Sequence, residues 1–186
     1  TISMVMRHFR NVLFSLDELN VPEQVRKMML TSRGIFLITG PTGSGKTTTL
    51  ASLVDYINSN SDKHIITIED PVEILHQHKK SLVSHREIGT DVNSFTEGVR
   101  CSMRHDPDVI VIGEMRDLET VRIALNAAET GHLVLATLHA RSASFVITRI
   151  IAEFPSLEQE FIRMQLSSAL RGVINQVLVP NLGGDD

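Results

Sequence analysis

Apolar residues in this chain fall into short unbroken runs separated by stretches with helical spacing. The runs lie at 35–39, 65–68, 109–112 and 133–136 and are built mainly from Ile, Val and Leu. Continuous runs of this length suit strands buried on both faces, as in a parallel sheet, better than the alternation of a half-exposed strand. Between them, Leu50, Leu53, Val54 and Ile57 recur at helical spacing from residue 46 to about 57, and the polar cluster 58–62 is expected to end that helix. Ser94 and Glu97 form a capping box ahead of Phe95, Val99 and Met103, which line one helical face before Pro107. Asp117 is placed to cap a further helix whose Leu118, Val121, Leu125 and Ala128 face inward until Gly131. Residues 142–151 and 156–170 read as two more helices, the second with a capping box at Ser156 and Gln159, and 173–179 as a last strand. Near the start, Pro22 opens a short helix that carries Val25, Met28 and Met29 toward a core. Residues 71–93 show no firm period and read as loop with at most a short hairpin. Residues 1–20 resemble a strand plus a linker. The alternation predicts an α/β fold, a mostly parallel central sheet with helices on both faces.

Charge and composition narrow the chemistry. A formal net charge of -4 supplies no general positive field for a polynucleotide, so nucleic acid is not the expected partner. The single cysteine, Cys101, cannot form an internal disulfide or a four-thiolate zinc site, and its helical surroundings predict a small buried hydrophobe. Arg7, His8 and Arg10 interrupt the most apolar N-terminal stretch, and about eighteen consecutive apolar residues occur nowhere, so neither a signal peptide nor a membrane span is expected. A reducing cytoplasm fits, with membrane contact only through a partner.

One loop carries most of the chemical information. Gly40-Pro41-Thr42-Gly43-Ser44-Gly45-Lys46-Thr47, with Thr48 beyond it, is a Walker A sequence between a buried strand and an amphipathic helix. Glycines there let backbone amides wrap phosphate oxygens, and the helix N-terminus adds partial positive charge. Lys46 would reach the β and γ phosphates of ATP and the Thr47 hydroxyl would coordinate Mg2+. The alternative is a plain glycine turn.

Residues 106–114 resemble a Walker B segment, a buried strand that delivers an acid to the phosphates. The position usual for the magnesium-side aspartate is Gly113, which leaves Glu114 to orient or deprotonate a water. Glu69 and Asp70, at the end of the preceding predicted strand, are candidates for the missing metal-side acid. A turn begun at Asp70 before Pro71 is an equal reading. His132 and His139 flank the strand at 133–137, roughly 23 Å apart if extended, so they cannot share a metal. His139 would stand at the phosphate edge and His132 at the opposite end. The other histidines read as solvated surface.

Together, the loop at 40–47, the acidic box 67–73, the aspartate-less Walker B ending Gly113-Glu114-Met115-Arg116-Asp117 and the histidine box 131–139 resemble the secretion ATPase superfamily of type II secretion and type IV pili. The residues Arg149-Ile150-Ile151, Phe154-Pro155 and Arg163-Met164-Gln165-Leu166-Ser167 are similar to its twitching-motility retraction motors. The resemblance covers nearly the whole chain. It implies a RecA-like P-loop core, ATP hydrolysis with Mg2+, and a hexameric ring on the cytoplasmic face of the membrane beside an inner-membrane platform protein.

It further implies catalytic roles for Glu114, Glu69, Glu73 and His139, with Thr47, Glu69 and Asp70 on the metal side. Arg86, Arg100, Arg104 and Arg116 fall where that family places arginines around the site and subunit boundary. On this reading residues 1–20 are the last strand of an N-terminal domain with its linker, and 21–186 are a RecA-like domain without the family's C-terminal helices. Arg141 departs from the asparagine or threonine usual after the second histidine. Three rivals remain: a pilus-assembly or secretion motor, whose usual four-cysteine insertion one cysteine cannot supply, a RecA-like nucleic-acid translocase, and a nucleotide-sensing scaffold.

Overall fold

A computed structural model describes residues 13–30, 33–140 and 142–179. Among the described residues six strands form one sheet: β1 (Gly34–Thr39), β2 (His64–Glu69), β3 (Leu82–Glu87), β4 (Val109–Ile112), β5 (Leu133–Leu138) and β6 (Leu170–Asn175). Their spatial order is β3-β2-β4-β5-β1-β6, and every pairing is parallel. The helices described with them are α1 (Glu23–Met29), α2 (Lys46–Asn60), α3 (Phe95–Ser102), α4 (Leu118–Glu129), α5 (Ala143–Glu153) and α6 (Gln159–Ala169).

The direction of each crossover decides which face its helix covers. The β1-to-β2 connection runs toward the β3 edge and lays α2 on one face. The connections from β3 to β4, β4 to β5 and β5 to β6 run the other way and lay α3 to α6 on the opposite face, as right-handed crossovers require. Side-chain alternation sorts the core accordingly. Phe36, Ile38, Val109, Val111, Leu133 and Leu135 pack with Leu50, Leu53, Val54 and Ile57 of α2. Ile35, Leu37, Ile110, Ile112, Val134 and Ala136 pack against α3 to α6. Strands buried on both sides account for the unbroken apolar runs.

Several elements differ from the pattern-based expectation. The segment 71–93 contains β3, an edge strand parallel to β2 rather than part of a hairpin. Of the two apolar residues of β3, Leu82 is exposed and Val83 buried, so no hydrophobic run announced the strand. Helix α2 continues to Asn60 because Asn58 is fully buried, donating to the Gln77 carbonyl and accepting from the Lys79 amide. The last strand ends at Asn175, and Val177, Leu178 and Val179 are exposed. Helix α6 begins at Gln159 after a turn, and the Gln159 side chain donates to the Phe154 carbonyl instead of completing a capping box with Ser156.

At Ser94 only half of the expected box forms: its hydroxyl accepts from the Glu97 amide, whereas the Glu97 carboxylate takes the Asn93 amide. Met28 is exposed while Met29 is buried, and Cys101 is exposed on α3 rather than a core residue. Residues 1–12, with the expected N-terminal strand, and Arg141 lie outside the described residues.

Candidate functional site

The loops at the carboxyl ends of β1, β2, β4 and β5 enclose a cleft of about 500 Å³, where an open parallel sheet gathers its ligands. Its floor is the 40–47 loop. Gly40, Gly43 and Gly45 have φ of 152°, 78° and 84°, conformations that L side chains rarely adopt. Gly40 is further confined, since a Cβ there would stand 2.3 Å from the Gln176 carbonyl oxygen. Helix α2 starts at Lys46 without a side-chain cap, whereas Ser94, Asp117 and Ser142 each cap their helices by accepting a first-turn amide. The first-turn amides of α2 are thereby left for an anion.

A row of ionic groups crosses the cleft. The buried Lys46 ammonium donates to the Gly40 and Pro41 carbonyls at 3.0 and 2.8 Å and faces Nδ1 of His139 at 3.4 Å. Because Lys46 brings the proton to that contact, the His139 ring carries its own on Nε2, which meets Oε1 of Glu114 at 2.6 Å. The other Glu114 oxygen accepts from Nε of Arg116 at 2.7 Å, and Arg116 reaches Asp70 at 3.3 Å. Burial holds the Lys46 amine below the usual lysine range, and the Glu114 charge pulls it part of the way back. The hydrogen bond and charge of Glu114 hold Arg116 above its ordinary value.

Backbone ties set these spacings. The Met115 amide donates to the Thr137 carbonyl at 3.0 Å, the Thr137 hydroxyl donates to the Gly113 carbonyl, and the Gly113 amide donates to the Ile68 carbonyl at 2.8 Å. A Cβ on Gly113 would lie 3.4 Å from Cα and 3.5 Å from Cγ of Glu69. The glycine therefore occupies the spot over which Glu69 folds from the neighbouring strand.

Of the residues expected from sequence, Lys46, Thr47, Glu69, Asp70, Glu73, Glu114, Arg116 and His139 all line this one cleft. Arg116 does so through acids of its own chain. Arg86 on β3 and Arg100 and Arg104 at the end of α3 do not line it. His132 sits at the opposite end of β5 with Nδ1 against the Ala127 carbonyl, 2.9 Å away.

Other participants had no local signal. Gln176 accepts from the Thr49 hydroxyl at 2.9 Å and donates its amide to the Thr39 carbonyl. Arg149 donates to the His139 carbonyl at 2.6 Å and steadies that loop. His76 is buried and His85 largely so, against the expectation of solvated surface, because β3 carries His85 inward and the loop before it lays His76 against that ring and α2.

The profile of the family described as type II/IV secretion system protein matches residues 2–185. The type IV pilus retraction ATPase PilT of Pseudomonas aeruginosa is 48% identical over 180 residues, 97% of this chain and 52% of that protein. A twitching motility protein of Neisseria gonorrhoeae is 48% identical over 181 residues, 97% of this chain and 48% of that protein. A crystal structure of the pilus retraction motor PilT with bound ADP superposes with a TM-score of 0.93 at 50% identity, covering 96% of this chain and 52% of the other. The chain thus spans about half the length of these relatives. The parallel six-stranded α/β sheet agrees with the expected P-loop core of the RecA-like kind. The chain belongs to the type II/IV secretion system protein family.

Proposed function

We propose that this chain is the ATP-hydrolysing domain of a type IV pilus retraction motor. The observation that carries the reading is the Lys46–His139–Glu114–Arg116 row spanning a glycine-loop cleft, in a chain 48% identical to a pilus retraction ATPase. Amides of the loop and of the first turn of α2 receive the phosphates, and Lys46 exchanges its loop carbonyls for β and γ oxygens. Glu114 takes the proton of the attacking water, while His139 and Arg116 hold its carboxylate toward the γ-phosphate. Glu73, which lines the same cleft, helps to order that water.

The cleft fits Mg2+ rather than a metal held by protein alone. Among the described residues no group of three or more His, Cys, Asp or Glu could hold an ion, whereas a hydroxyl and carboxylates suit a cation that keeps waters and takes phosphate oxygens. Mg2+ held by Thr47, with Glu69 and Asp70 beside it, would neutralise charge on the transferring phosphoryl group. Glu69 lying over Gly113 supports this assignment, since its carboxylate stands in for the acid that the glycine lacks.

Phosphoryl transfer in this fold commonly uses an arginine from a neighbouring molecule. Arg86, Arg100 and Arg104 stand outside the cleft of their own chain, which supports a role at the boundary of a homo-hexameric ring. No helix among the described residues is long and apolar enough to cross a membrane. As a pilus retraction motor, the protein would work on the cytoplasmic side of the inner membrane beside the pilus platform protein.

Lys46→Ala in the full-length protein tests the nucleotide assignment. Calorimetry should show ATP affinity falling at least tenfold, and unchanged affinity would sink it. In the host, deleting the full-length gene should leave surface pili in place and abolish twitching. Loss of the pili themselves would instead indicate an assembly motor.

A further inference from the structure

Two histidines lie beside the cleft wall in an arrangement that the hydrolytic row does not use. His85 of β3 is in register with Thr67 of β2, and Glu69 follows two residues on, toward the first turn of α2. Its Nδ1 lies 2.9 Å from the Thr67 hydroxyl and 3.7 Å from Oε1 of Glu69. The His76 amide donates to Nε2 at 3.1 Å. That bond places the lone pair on Nε2 and the ring proton on Nδ1, facing Thr67 and Glu69.

The ring is also fixed in orientation. His76 stacks on it with centroids 5.8 Å apart and planes 7° from parallel. His76 is itself only 8% exposed, with Nδ1 unpartnered. A cavity of about 20 Å³, lined in part by Thr47, Thr67, Glu69 and His76, separates this wall from α2 and has room for about one water. The pair thus reaches the residues proposed for the metal side from behind, through the sheet edge.

We propose that His85 is a positioning residue for Glu69: the His76 amide fixes its tautomer, the His76 ring fixes its plane, and its Nδ1–H, 2.9 Å from the Thr67 hydroxyl, presents the positive edge of the ring 3.7 Å from the Glu69 carboxylate and biases it toward Thr47. The inference rests on the reading of the cleft as an ATPase site. A carboxylate held at one rotamer loses no ordering entropy when the nucleotide arrives, which is how outer groups behind a metal-side ligand ordinarily act.

Steady-state kinetics on full-length His85→Phe and His85→Gln test it. Phenylalanine keeps the stack and removes both nitrogens, so kcat should fall roughly 10- to 100-fold with KM for ATP little changed and the Mg2+ requirement shifted to higher concentration. Glutamine can accept from the His76 amide and donate toward Glu69, and should restore most of the loss. In a Glu69→Gln background, His85→Phe should cost little more. Equal kcat for His85→Phe and the parent, or losses that multiply in the double variant, would overturn the proposal.

A readout on the unaltered protein does not depend on any variant folding. Long-range ¹H–¹⁵N spectra should show His85 as the Nδ1–H tautomer, and an Nε2–H tautomer would also overturn the proposal. A parent protein without ATPase activity would overturn the functional reading instead, and the tautomer would still report on the His76–His85–Glu69 geometry.

Discussion

Glu114 is gripped from both sides, with Oε1 2.6 Å from Nε2 of His139 and Oε2 2.7 Å from Nε of Arg116. Its side chain is 20% exposed, enough to meet a water and too little to be a surface acid. Glu114→Gln keeps the size and can retain one of the two contacts while removing the base. Nucleotide binding should persist and turnover should fall by roughly 10²- to 10⁴-fold. Single-turnover phosphate release checks this, and parental activity would move the water-activating role to Glu69 or Glu73.

Arg116 lies within one chain between Glu114 and Asp70, which bears on where its contribution is made. Arg116→Ala should lower kcat by about tenfold, the scale of removing a group that orients another. Mixing Arg116→Ala chains with Glu114→Gln chains should restore nothing, because with Arg116 serving the site of its own chain no site holds both intact residues. Recovery of activity on mixing would show that Arg116 serves its neighbour's site.

Glycines of the loop should differ in what they tolerate. A Cβ on Gly40 would meet the Gln176 carbonyl oxygen at 2.3 Å and Oγ of Ser44 at 2.6 Å, whereas one on Gly43 has no neighbour within 4 Å. Gly40→Ala must displace β6 or the loop, and both melting temperature and ATP affinity should drop. Gly43→Ala carries only the backbone cost of a left-handed residue, about 1–2 kcal/mol. Equal effects of the two, by calorimetry and nucleotide titration, would contradict the contact geometry.

His76 should make folding stability depend on pH. Burial, with the neighbouring His85 adding to it, holds its pKa below the ordinary histidine value. The unfolded chain takes up a proton near pH ~6.5 while the folded chain resists it, so the unfolded state binds more protons. The associated stability is present above that pH and is lost as pH falls below it. The melting temperature should decline from pH 7.5 to 5.5 more steeply in the parent than in His76→Phe, which scanning calorimetry at both pH values would reveal.

The strands at 35–39, 65–68, 109–112 and 133–136 and the loop at 40–47 were legible because each is a short-range pattern. Burial on both faces leaves an apolar run, and a phosphate-wrapping turn needs glycines at fixed offsets from a helix start. Capping at Ser94 and Asp117 was legible for the same reason, since both bonds close within three residues.

β3 escaped because a parallel edge strand with Ser84, His85, Arg86 and Glu87 has no apolar period to read, and its ladder with β2 holds it instead. His85, Gln176 and Arg149 escaped for a related reason. Each meets the cleft through a partner 10 or more residues away in sequence: His85 with Thr67, Gln176 with Thr49, Arg149 with His139. Such meetings depend on strand order and register, which arise from how all the buried faces pack together. A polar residue at a sheet edge can be surface or cleft wall, and the neighbouring strand, not its local sequence, determines which.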